Sequence, residues 1–191
     1  MTTWVFGYGS LVNRASLATT LGHMTTVGTD VFVATLHGYR RSWNATMQNL
    51  HDDLDDKYYV DAAGQRPDVG VTALGITATP DEEIGGVIFR VSAAQIARFD
   101  LRERRYDRID VTSSVQSNAP MGSDDVVIAY APSASALRTY NHHLTRGTAV
   151  SVRSYVQTIV DGFSEMDPAE LVRFQAEPTL PRHDLTVVYP K

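Results

Sequence analysis

The sequence predicts an α+β fold, with helices flanking a mixed, barrel-like β-sheet. Three observations lead there. Strand-like and helix-like segments alternate without the steady βαβ rhythm of a doubly wound parallel sheet. Several successive strand signals are separated by turn residues rather than by helices, as at Pro80-Asp81-Glu82-Glu83 and Gly85-Gly86. The chain has 191 residues and is 43% hydrophobic and 20% charged. That suits one domain able to bury roughly 70% of its unfolded surface.

The elements follow in order. Residues 3–6 are apolar and open as a strand that runs into Gly7-Tyr8-Gly9-Ser10-Leu11. Asn13 or Ser16 is placed to cap a short helix over Arg14–Leu21. Residues 30–36 are β-rich, and 39–43 start a further strand. Residues 50–72 are polar and irregular, with Asp52, Asp53, Asp55 and Asp56 followed by Gly64, Pro67 and Gly70. They read as a loop insertion into a single domain spanning 1–191, and as a candidate lid. Residues 71–78 and 86–91 read as two strands across the Pro80 turn.

Residues 92–104 carry the clearest helical signal of the first half. Ser92 with Gln95 forms a capping box, and Ile96, Phe99 and Glu103 share one face. Residues 108–114 and 126–131 read as strands, and 133–144 as a helix. Residues 151–165 carry an apolar stripe of Val152, Tyr155, Val156, Ile159 and Phe163. Asp167-Pro168 then starts a short helix to about residue 175, with proline at its first position.

Composition excludes several kinds of chemistry. The chain has no cysteine, so disulfide scaffolds, zinc ribbons and thiolate catalysis are ruled out together. Seventeen basic residues against twenty-two acidic ones give a formal charge of −5, without the basic surplus of a general nucleic-acid binder. No apolar run reaches membrane-spanning length. The first residues carry no basic, then apolar, leader pattern, and a cytoplasmic protein is the expectation. The six histidines form no metal-binding pair, and the Asp52 to Asp56 run lacks the glycine and terminal glutamate of a calcium loop.

Two segments remain as carriers of chemistry. In the Gly7 to Leu11 turn, glycine lets the backbone approach a ligand closely, and successive N–H groups can converge on an anion or a developing oxyanion. It is neither a dinucleotide fingerprint, since Val12 stands where the third glycine belongs, nor a P-loop. The second segment is Phe99-Asp100-Leu101-Arg102-Glu103-Arg104-Arg105-Tyr106. Glu103 lies on the apolar stripe at a helix C-terminus. Partial burial and the negative end of the helix dipole both raise the pKa of such a carboxylate toward that of a general base. The neighbouring arginines work against that rise. Tyr130, on the 126–131 strand, is a candidate to face the interior, either as core or as a ligand contact.

Taken together, these segments resemble the γ-glutamylcyclotransferase superfamily. Phe6-Gly7-Tyr8-Gly9-Ser10-Leu11 resembles its substrate loop, and Phe99-Asp100-Leu101-Arg102-Glu103 with Tyr106 is similar to its L-D-x-x-E segment. Gly38-Tyr39-Arg40-Arg41, Gly86 to Val91 and Tyr155 to Phe163 lean toward the AIG2-like and ChaC-like branch. The chain departs from that branch in having Arg104-Arg105 where glycines are usual, one residue shorter, and in its 50–72 segment.

The resemblance implies a small barrel-like sheet with an internal cavity. It also implies an enzyme that releases 5-oxoproline from a γ-glutamyl amine, a γ-glutamyl peptide or glutathione. Glu103 would be the general acid/base, and Tyr8, Gly9, Ser10, Leu11, Tyr106 and Tyr130 the substrate contacts. No metal or cofactor is implied, and the partner is a small γ-glutamyl molecule rather than nucleic acid or membrane. A non-catalytic binding module of the same fold, or a biosynthetic cyclotransferase removing a γ-glutamyl protecting group, are the other readings. The sequence leaves the oligomeric state open.

Overall fold

A computed structural model describes residues 1–51, 54 and 56–190. The strands are β1 (Thr3–Gly7), β2 (Val31–Gln48), β3 (Tyr58–Val60), β4 (Gly70–Val91), β5 (Tyr106–Asp110), β6 (Val115–Ser117), β7 (Val126–Pro132), β8 (Ala149–Val152), β9 (Arg182–His183) and β10 (Thr186–Val188). The helices are α1 (Arg14–Leu21), α2 (Ala93–Arg102), α3 (Ala134–Thr145), α4 (Arg153–Met166) and α5 (Pro168–Ala176). The fold is mixed α+β.

β1 sits inside the main sheet, whose order is β5-β7-β1-β4-β2-β6. It pairs antiparallel with β4 (Val5 opposite Phe89) and parallel with β7 (Val5 opposite Ile128). A strand with partners on both sides and both faces covered should be apolar throughout. Trp4, Val5 and Phe6 are accordingly buried. β8 adds to the start of β4 in parallel, and β10 pairs with β3 in a separate two-stranded sheet. The end strands β5 and β6 do not pair with each other among the described residues, so the sheet does not close into a barrel.

β2 and β4 are much longer than the sequence signals suggest. The segments 71–78 and 86–91 belong to one strand, as do 31–36 and 39–43. The turn signal at Pro80 is a bulge. The register runs from His37 opposite Glu83 to Tyr39 opposite Ala78, which leaves Gly38 facing residues 79–82. Gly38 has φ 78° and Asp81 φ 68°, and Pro80 has no N–H to donate, so pairing breaks here and then resumes. Below the bulge, β2 and β4 serve a small apolar cluster of Met47, Val69, Val71, Val150, Val152 and Leu185. Nearer the bulge, Trp43, Leu74 and Ile76 already join the main core, as do Leu36 and Ile84 beyond it.

Local chemistry sets the helix ends. The Asn13 side chain accepts from the Ser16 N–H and starts α1, while Ser92 and Gln95 complete the capping box of α2. Ser133 caps α3, and Asp167 caps α5 with Pro168 in its first turn. α4 begins two residues later than the sequence suggests because Ser151 and Val152 are taken into β8. The predicted strand over 108–114 is instead β5 followed by a 3-10 turn at Thr112–Ser114. Of the 50–72 segment, residues 58–60 and 70–72 are strand, and Asp52, Asp53 and Asp55 of its acidic run lie outside the described residues. No helix among the described residues is long and apolar enough to cross a membrane.

Candidate active site

The glycine turn begins where β1 leaves the sheet. It closes on itself through hydrogen bonds from the Val12 N–H to the Gly9 carbonyl (3.0 Å) and from the Asn13 N–H to the Ser10 carbonyl (3.3 Å). α4 packs over it so closely that a Cβ at Gly162 would lie 2.6 Å from the Asn13 nitrogen. A Cβ at Gly9 would come within 3.0 Å of the Tyr155 hydroxyl. The turn is thus held between the sheet and one helix.

Glu103 enters from the other side as the residue that ends α2. Its N–H donates to the Phe99 carbonyl (2.7 Å), and its own carbonyl accepts from the Tyr106 N–H (2.8 Å). Phe99 is fully buried against Phe89, with ring centroids 5.4 Å apart, and this fixes the inward face of the helix. The Glu103 side chain is only 15% exposed. Burial pushes its carboxyl above the usual carboxylate range, and the nearby charges of Arg102 and Lys57 restrain the rise. Arg102 Nε lies 3.0 Å from Glu103 Oε1.

Arg102 does more than balance charge. One guanidinium nitrogen donates to the Ser16 carbonyl and to Thr20 Oγ1, both at 2.9 Å. The other donates to Ser10 Oγ and Ser16 Oγ, both at 3.0 Å. It therefore ties the glycine turn, α1 and Glu103 into one unit.

Two neighbouring spaces share Glu103 as a wall. A cleft of about 440 Å³ is lined by Lys57, Tyr59, Arg105, Tyr189 and an apolar wall that includes Met47, Val71 and Val152. A cavity of about 30 Å³ lies under the glycine turn, walled by Tyr8, Gly9, Leu11 and Tyr130. Ser10, Glu103, Tyr106 and Tyr155 line both. The small cavity has room for a carbonyl or carboxylate oxygen, while the cleft is of ordinary ligand size.

All seven residues singled out from the sequence border this pair of spaces, though not all offer a free polar group. The Tyr8 hydroxyl donates to the Tyr130 carbonyl, and the Tyr106 hydroxyl to the Leu74 carbonyl at 2.8 Å. The Tyr130 hydroxyl donates to Asp100 Oδ1 at 2.9 Å, so Tyr130 gives the cavity its ring and backbone. Burial raises the pKa of all three phenols, which stay protonated.

The sequence reading missed Lys57, Tyr59 and Tyr155 as site residues and gave Arg102 only a charge-balancing part. Tyr155 lies on an apolar helix stripe and looks like core. Its hydroxyl accepts from the Leu74 N–H at 3.3 Å at the wall of both spaces. Lys57 and Tyr59 sit in the polar segment, where no periodicity marks a face. The fully buried Asn49 anchors them. Its amide group donates to the Tyr59 and Pro67 carbonyls (2.9 and 3.0 Å) and accepts from the Tyr59 N–H (2.7 Å). Arg105 pairs with Asp56 at 2.6 Å. Burial opposes the Asp56 charge, yet Arg105 holds that carboxyl below its usual range. Among the described residues, no group of three or more His, Asp or Glu is arranged to hold a metal ion.

No known family profile and no curated protein matches the sequence. Solved structures do match. The chain is similar to a γ-glutamyl cyclotransferase, with 13% identity, a TM-score of 0.58, and coverage of 94% of this chain and 89% of that one. The fold is that of the γ-glutamyl cyclotransferases. An uncharacterized protein from Homo sapiens shares it at 16% identity and a TM-score of 0.55, over 92% of this chain and 88% of that one. YkqA from Bacillus subtilis is similar at 14% identity and a TM-score of 0.52, over 93% of this chain and 56% of that one. At these identities the likeness is one of fold. The cyclotransferase fold here carries a cleft and a glycine turn that meet at a single inward carboxylate.

Proposed function

We propose that the protein is a γ-glutamylcyclotransferase, releasing 5-oxoproline from a γ-glutamyl amine or peptide. The observation that carries this reading is Glu103: a largely buried carboxylate with a raised pKa, placed where the cleft meets the cavity under the glycine turn.

The reaction needs little from the protein beyond shape and proton transfer. The substrate's α-amine is tethered to the γ-carbonyl it attacks, so holding the folded conformer supplies much of the rate. Glu103 takes a proton from the α-ammonium. The amine nitrogen then bonds to the γ-carbonyl carbon, and the carbonyl oxygen gains negative charge. The C–N bond to the leaving amine breaks as Glu103 returns the proton to that nitrogen, and the ring nitrogen gives its second proton to the departing amine, leaving neutral 5-oxoproline and a free ammonium. Backbone N–H groups of the Tyr8 to Leu11 turn stabilise the developing oxyanion in the small cavity. A carboxylate pKa lifted by burial makes Glu103 a stronger base in the first step and a competent acid in the last.

The test is 5-oxoproline release from glutathione and a panel of γ-glutamyl amino acids and amines, which also separates the branches of the family. Glu103→Gln keeps the shape and removes the proton acceptor, so turnover should fall by about 10²-fold or more. A panel with no product overturns the activity. Near-normal turnover in Glu103→Gln removes Glu103 from the base role.

A further inference from the structure

Among the described residues, the three cations that line the cleft are not equivalent. Arg102 is engaged by Ser10, Ser16, Thr20 and Glu103. Arg105 is held by Asp56. The half-buried Lys57 ammonium has neither a hydrogen bond nor a carboxylate at ion-pair distance among the described residues. A half-buried charge without a counter-ion in direct contact is costly, and such a group usually finds one. Burial, with Arg105 nearby, pushes the Lys57 amine below its usual range although the Asp56 and Glu103 carboxylates act the other way from beyond ion-pair distance, and an anion in direct contact would add to them.

Position tells which part of a ligand meets it. Tyr8, Gly9 and Leu11 line only the small cavity, Lys57 only the large cleft, and Glu103 both. If the γ-carbonyl reacts beside Glu103 and the glycine turn, whatever extends past Lys57 is the leaving portion. With Asp56 already paired to Arg105 and Glu103 to Arg102, a Lys57 ammonium in contact with no carboxylate among the described residues matches one negative charge. The same charge repels a cationic leaving amine.

Building on the proposed reaction, we propose that Lys57 is a specificity-determining residue that receives a carboxylate on the leaving-group side of the γ-glutamyl substrate. The cleft then selects leaving groups that carry a carboxylate over neutral or cationic ones of the same size.

The experiment compares γ-glutamyl-alanine with its C-terminal amide, two ligands that differ there by one charge. Dissociation constants are measured by calorimetry in the Glu103→Gln protein, so neither ligand is consumed. The acid should bind about 10- to 100-fold more tightly than the amide, the worth of a charge-assisted hydrogen bond. Adding Lys57→Met should bring that ratio close to one, and adding Lys57→Arg should keep most of the preference. Lys57→Gln serves as the second neutral variant if the methionine protein is unstable. Equal binding of acid and amide, a preference that survives loss of the ammonium, or no binding of either ligand overturns the proposal. Wild-type protein that makes no 5-oxoproline but shows the Lys57-dependent preference keeps the receptor and rejects the reaction. Turnover without the preference does the reverse.

Discussion

Glu103 is held between opposing influences. Burial disfavours its charge, while Arg102 at 3.0 Å and the more distant Lys57 favour it. Burial prevails, so the folded protein penalises the ionised carboxylate relative to the unfolded chain. That penalty is absent below the usual carboxylate range, where the group is protonated in both states. It is complete once the pH exceeds the raised folded-state pKa. Glu103→Gln should therefore melt at a higher temperature than wild type at pH 8, and the difference should vanish near pH 4. Equal melting temperatures at pH 8 would show that Arg102 offsets the burial fully. The inward placement of Glu103 was legible because Ile96 and Phe99 mark its helix face. The Arg102 contacts were not, because Ser10, Ser16 and Thr20 come together only once α1 packs beside α2.

At the scale of elements, α4 organises the end of the cleft that carries the glycine turn. Tyr155 near its start bonds the Leu74 amide and abuts Gly9, and Gly162 two turns later touches the Val12–Asn13 backbone. Glycine inside a helix normally gives way to alanine with a gain of about 1 kcal/mol. Here the added Cβ meets backbone at 2.6 Å, and overpacking of that kind costs about 1–3 kcal/mol. Gly162→Ala should thus lower the melting temperature by several degrees rather than raise it. It should also weaken any binding that depends on the glycine turn, as thermal melts and ligand titration would show. The helices were legible to within a few residues because Asn13, Ser92, Ser133 and Asp167 announce their starts. The long strands were not, since Gly38 and Pro80-Asp81 signal a turn in the sequence whether the chain reverses there or only bulges.

Across the whole molecule, a buried charge cluster fastens the C-terminal helix to the sheet. Arg41 on β2 bonds Glu170 and Glu177, donates to the Gly85 carbonyl at 3.0 Å, and lies near the Phe163 and Phe174 rings. Glu170, fully buried, also accepts from the Gly85 N–H at 2.9 Å. Removing one member leaves the others under-compensated, so Glu170→Ala should destabilise by about 3 kcal/mol or more. Denaturant unfolding would check this, and a change below 1 kcal/mol would mean that Glu177 alone satisfies Arg41. No local pattern marks this cluster, because residues 41, 85 and 170 meet only through the completed sheet. The same distance in sequence hid Lys57 and Tyr155, whereas the glycine turn and Glu103 are short motifs readable where they stand.

Between Glu103 and the first residue of β5 lie only Arg104 and Arg105, and the Glu103 backbone is bonded at both ends. The connection works as a ruler. β5 is pinned to β7 at Tyr106 opposite Pro132, and α2 is pinned through Phe99, so no slack separates the two anchors. One residue added to the end of α2 would turn the carboxylate about 100° around the helix axis. Its aim into the cleft is therefore a matter of chain length as much as of chemical identity.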